Sequence, residues 1–162
     1  MNNEQPAIPS PEAKRDLLVS VMGEVFEQFA FMFLEPASQD VIPAGRIKLY
    51  EAAIHFEGPL TGRLAVCAPL AFCHDLAASV LGFEDDQITS EHERDALKEL
   101  VNVACGEWLV AIAGNKHLID LSVPTFRELD AKTLARLTGH ADAVPVLVDD
   151  HPLLFEASFQ PS

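Results

Sequence analysis

The chain has 162 residues, of which 49% are hydrophobic and 22% charged, and a formal net charge of −14 at pH 7. This length and apolar content suit one buried core, so a single domain is predicted over residues 10–162 behind a flexible tail at residues 1–9. Eleven Lys and Arg against 25 Asp and Glu exclude the basic surface that nucleic acid or an anionic membrane requires.

No run approaches the roughly 20 apolar residues of a membrane span, and residues 1–9 lack the basic and apolar regions of a signal peptide. A cytoplasmic location is therefore expected. The first helix begins with Ser10 as N-cap, Pro11 at the first helical position and Glu12 in the first turn. Leu17, Leu18, Val21, Val25, Phe29, Met32 and Phe33 form its apolar face, Pro36 is expected to stop it, and the phenylalanines of residues 26–33 are read as core. Alternating apolar residues over 46–55 and a second run at 64–68 predict a β-hairpin around the turn at 58–62. A second helix follows to Leu81, closed by Gly82, and residues 83–88 form an acidic linker. Ser90 with Glu93 has the spacing of a capping box for a long helix that runs to Ala113 and ends at Gly114 and Asn115. A strand over 118–126, a short helix at 131–137, and a terminal hairpin of 143–148 with 153–159 around a turn at 149–152 complete the series. This order gives an α+β arrangement of two similar halves, each a long helix with antiparallel strands.

Cys67, Cys73 and Cys105 are odd in number and show no Cys-x-x-Cys spacing, so they are expected to be reduced core residues. The six histidines are scattered without ligand spacing. The acidic run Glu84-Asp85-Asp86 reads as solvated linker, and no metal site or cofactor of the chain's own is expected.

The long helix carries the chemistry. At about 100° per residue, Asp95, Glu99, Asn102 and Gly106 fall within about 60° of one another, because helical neighbours lie three and four apart. Leu97, Leu100, Val101, Ala104, Trp108, Ala111 and Ile112 take the core side. A glycine inside a helix costs about 1 kcal/mol relative to alanine, so Gly106 on the polar stripe points to close approach by a partner. A carboxylate at Glu99 suits pairing with a partner's lysine. An amide at Asn102 both donates and accepts, which suits it to hold a water molecule, and phosphoryl hydrolysis needs little more than an oriented water.

The pattern Asp95-x-x-x-Glu99-x-x-Asn102-x-x-x-Gly106 resembles the motif of the CheC/CheX/FliY phosphatases of bacterial chemotaxis, and most nearly that of CheX. The resemblance is close over residues 89–114 and looser over most of the chain. It departs after the glycine, where many relatives have small or amide residues and this chain has Glu107-Trp108-Leu109. The resemblance implies a CheC/CheX-like fold of two pseudo-repeated halves with long helices packed on an antiparallel sheet. It also implies dephosphorylation of the phospho-aspartate of a CheY-type response regulator, with Glu99 pairing with the regulator's lysine and Asn102 orienting the attacking water. Asp95, Lys98 and Gly106 would frame the site or meet the partner, and Mg²⁺ is expected in the regulator. The first helix offers Glu24 but has Glu27 three residues on and no asparagine over residues 16–34, so one site per chain is expected, as in CheX. A homodimer is expected through strand edges or the aromatic first helix, from the apolar terminal hairpin, with Leu153, Leu154, Phe155 and Phe159, and from the resemblance, since CheX dimerises through its sheet. The alternative function is a non-catalytic module that binds a receiver domain or belongs to a flagellar-switch-like assembly.

Overall fold

The computed structural model describes residues 6–42 and 47–162. Part of the expected tail and the start of the first expected strand at Arg46 lie outside the described residues. Helix α1, Pro11–Ala30, is capped as its sequence predicts: Ser10 Oγ accepts from the Ala13 N–H at 3.2 Å. It ends well before Pro36. Phe31 turns left-handed (φ 56°), and the N–H groups of Phe31 and Met32 bond back to the carbonyls of Glu27 and Phe26. That turn frees Leu34–Pro36 to form a short strand, β1. Leu18, Met22, Val25 and Phe26 are buried, whereas Phe31 and Phe33 are 78% and 66% exposed, which corrects the expectation that this aromatic run is all core.

Strands β2, Leu49–Glu57, and β3, Leu60–Pro69, make the first hairpin. Its turn uses Gly58, where any Cβ would sit 2.8 Å from the Leu118 carbonyl. Helix α2, Leu70–Leu81, stops at Gly82, whose φ of 67° suits a residue without a side chain. A single turn of 3₁₀ helix, Asp85–Gln87, leads into α3, Ser90–Ala113. The capping box of α3 is one residue earlier than expected, with Thr89 as N-cap and His92 reaching back to the Thr89 N–H. Glu93 is engaged elsewhere, at 3.1 Å from His74 of α2.

The single strand expected over 118–126 is two short ones, β4, Asp120–Leu121, and β5, Thr125–Glu128, both antiparallel to β2. Pro124 lacks the N–H that a continuous ladder needs. Helix α4, Ala131–Thr138, precedes the terminal hairpin of β6, Ala143–Val148, and β7, His151–Pro161. The hairpin turn is the pair Asp149-Asp150, both with positive φ (46° and 67°), the twist that matches flanking strands.

The seven strands form one antiparallel sheet in the order β1-β6-β7-β3-β2-β4, with β5 also on β2. This order is nearly palindromic. The hairpins β2–β3 and β6–β7 meet along β3 and β7 at the centre, and each is flanked by the short strand that follows the other half's long helix. The two halves predicted from the order of elements are thus interlocked. One face of the sheet carries Ala52, Ile54, Leu64, Val66, Val146, Leu153 and Phe155 against α1, α2 and α3. The other carries Leu49, Cys67, Ala143 and Leu154 under Leu134 and Leu137 of α4.

Candidate functional site

The orientation of α3 is set by what it buries. Leu97, Leu100, Val101, Ala104 and Trp108 are inaccessible to solvent, as the helical spacing predicts, and Ala96, Cys105 and Leu109 join them. Ile112 is half-buried, and Ala111 is exposed on the open side of the helix. Burying each of the larger of these side chains contributes about 1.5–3 kcal/mol, and rotating the helix would forfeit several at once. The opposite side is therefore held outward. Glu99 and Asp95 are exposed, and Asn102, Lys98 and Gly106 are half-buried. From Asp95 to Gly106 the stripe runs about 16 Å along the axis, with Glu99 and Asn102 one turn apart at its middle.

The side-chain bonds of α3 cluster N-terminal to the stripe, at His92 and Glu93, with Arg94 lying over the Phe126 ring. Among the described residues, Asp95, Lys98, Glu99 and Asn102 take part in no side-chain hydrogen bond or ion pair. An acceptor and a donor–acceptor thus stand side by side at the surface with their bonding capacity unused. Gly106 adds a second observation: a Cβ built there meets nothing within 4 Å. Packing against a neighbouring strand is therefore not what requires glycine, and the space over it is open. Beside that end of the stripe, α1 and α3 leave a groove of about 150 Å³ lined by Glu24, Gln28, Glu107 and Val110 among others. Glu24, which lacks an asparagine three residues on, faces this groove rather than a second polar stripe.

A family model described as chemotaxis phosphatase CheX matches residues 50–144, more than half of the sequence and the whole of the stripe. The chain belongs to the CheX family. CheX-family structures share its fold. CheX of Vibrio vulnificus superposes with a TM-score of 0.68 at 15% identity, over 94% of this chain and 100% of that one. CheX of Desulfovibrio desulfuricans gives 0.66 at 15% identity, over 91% and 99%. The CheX–CheY–BeF3–Mg²⁺ complex from Borrelia burgdorferi gives 0.61 at 13% identity, over 90% of this chain and 96% of its counterpart. Among curated proteins none matches.

No helix among the described residues is long and apolar enough to cross a membrane, and none of those residues form a cluster of three or more His, Cys, Asp or Glu side chains able to hold a metal. Burial pushes the Cys73 and Cys105 thiols up to about 12 and raises Cys67 as well; all three cysteines are free and buried.

One charged cluster went unread in the sequence. Glu51 on β2 is 2% exposed, and its Oε1 accepts from Arg63 Nη2 at 2.7 Å and Arg127 Nε at 2.9 Å. Arg63 Nη1 also reaches Glu156 Oε1 at 3.0 Å. Burial works to raise the Glu51 carboxyl, but the two arginines outweigh it and hold the group below its ordinary range. The available signal was Glu51 itself, a lone acid in the apolar stretch Leu49 to Ile54.

Proposed function

We propose that this CheX-family chain removes the phosphoryl group from the aspartate of a CheY-type response regulator. The observation that carries the proposal is the pair Glu99 and Asn102, one helical turn apart, outward-facing and without a side-chain partner among the described residues. The CheX–CheY complex of Borrelia burgdorferi supports a CheY-type partner. The stripe of α3 docks over the regulator's phosphorylation pocket, where the Glu99 carboxylate pairs with the regulator's active-site lysine. The Asn102 amide accepts a hydrogen bond from a water and holds it in line with the bond between phosphorus and the aspartyl oxygen. The water adds at phosphorus as that bond breaks, leaving inorganic phosphate and a free aspartate. Mg²⁺ is the regulator's and neutralises the transferring oxygens; positioning and charge complementarity are the whole of this chain's contribution. Asp95 and Lys98 flank the contact, and Gly106 admits the partner's backbone. The location that follows for such a substrate is the cytoplasm, and we infer a homodimer with one such site per chain.

The test compares two truncations against phosphorylated regulator. Asn102→Ala should lower the acceleration of dephosphorylation about 100-fold or more while leaving complex formation within a few-fold of wild type. Glu99→Ala should weaken the complex itself about tenfold or more, since a charge-assisted contact is lost. Both side chains lie outside the core, so melting temperatures should hardly move. Wild-type turnover by Asn102→Ala would refute the water-orienting role.

A further inference from the structure

The face of the sheet opposite the α3 stripe holds a cavity of about 300 Å³ lined by Arg63, Arg127, Arg136, Leu137, His140 and Glu156. Its size is at the lower end of small-molecule sites. Its charge is the reverse of the molecule's: three of the chain's eleven basic residues converge here, in a protein of net charge −14. Only part of their bonding capacity is used internally. Arg63 is committed to Glu51 and Glu156. Arg127 gives Glu51 its Nε alone, so both terminal nitrogens have no partner among the described residues, and Arg136 forms no ion pair among them. His140 accepts the Asp142 N–H on Nδ1 at 3.2 Å, which leaves Nε2 as a donor. One acceptor is also unused: Glu156 Oε2 is buried and without a hydrogen bond. A buried carboxylate oxygen left bare is costly, and none of the described residues supplies its donor.

We propose that this cavity binds a small zwitterion: a carboxylate or phosphate gripped by Arg127 and Arg136 with His140, bearing an ammonium that donates to Glu156. Guanidinium groups match the planar or tripodal oxygens of such anions through paired N–H bonds. The ammonium gives the orphaned oxygen its donor once the Glu156 carboxylate turns towards the cavity that the residue lines. The site lies across the sheet from Glu99 and Asn102 and is distinct from the phosphatase stripe.

Calorimetry on the full chain with glutamate, phosphoethanolamine and inorganic phosphate tests this and separates the two anion sources. One of the two zwitterions should bind one-to-one, and about tenfold or more tighter than inorganic phosphate, which lacks the ammonium. Arg136→Gln, an exposed position whose loss leaves the fold intact, should weaken that binding about tenfold or more. Glu156→Gln, if its melting curve is normal, should abolish the preference over phosphate. Absence of saturable binding at millimolar concentrations, binding indifferent to Arg136→Gln, or phosphate binding as tightly as both zwitterions would each overturn the proposal.

Discussion

Gly106 destabilises α3 by about 1 kcal/mol relative to alanine, and no contact among the described residues requires it, because a Cβ there meets nothing within 4 Å. Its value must come from outside. Gly106→Ala should therefore stabilise the protein by about 0.5–1 kcal/mol, read as a rise of about 2–4 °C in Tm. Gly106→Leu should melt no lower than wild type and yet lose most regulator dephosphorylation, because the added side chain occupies the space the partner's backbone would enter. Undiminished turnover in Gly106→Leu would show that close approach is not the reason for the glycine. The stripe was legible in the sequence because helical spacing alone brings Asp95, Glu99, Asn102 and Gly106 to one side. The Glu51, Arg63, Arg127 and Glu156 cluster was not, because its members come from four strands and only the tertiary register puts them together.

Elements were legible where local chemistry decides and obscure where a neighbour does. The Ser10 cap, the Gly82 stop and the end of α3 at Gly114 follow from residues in place. The end of α1 does not, because Phe31 takes a left-handed conformation and Leu34–Pro36 is drawn into the sheet by β6. The capping of α3 was displaced for a related reason: Glu93 is held by His74, which ties α2 to α3 and also approaches Asp85 at 3.5 Å. The hydrogen bond to Glu93 outweighs desolvation, and with the charge of Asp85 it keeps His74 protonated above its ordinary 6.5. A pKa raised on folding contributes stability that is full below the unfolded value and fades as pH rises through the folded one. The melting-temperature loss caused by His74→Gln should accordingly be larger at about pH 6 than at about pH 8.5. An equal loss at both would mean that the imidazole serves by packing alone.

At the scale of the molecule, the near-palindromic sheet decides where a second copy can add. The terminal hairpin, with Leu153, Leu154 and Phe155, offered an apparent open edge in the sequence, yet β7 is central between β6 and β3 and those side chains are buried. The free edges are β1 and the interrupted pair β4 and β5. β1 is three residues long and ends in Pro36, so ladder bonds alone hold little there. What adjoins it is apolar: Phe31 and Phe33, 78% and 66% exposed, at the turn out of α1. Phe31 and Phe33 stand two residues apart in sequence with their rings exposed, and the inferred homodimer is expected to cover them. Light scattering should return about twice the 17.7 kDa chain mass, and Phe31→Ser with Phe33→Ser should return the monomer without lowering Tm in proportion to a core loss. Salt supplies an independent readout. Each copy carries a net charge of −14, so long-range repulsion opposes association and is screened as ionic strength rises past the point where the Debye length is about 10 Å. An apolar interface should thus tighten with added salt, whereas one built on ion pairs would loosen. A monomer at micromolar concentration in physiological salt would leave the exposed phenylalanines to some other partner and remove the dimer from the proposal.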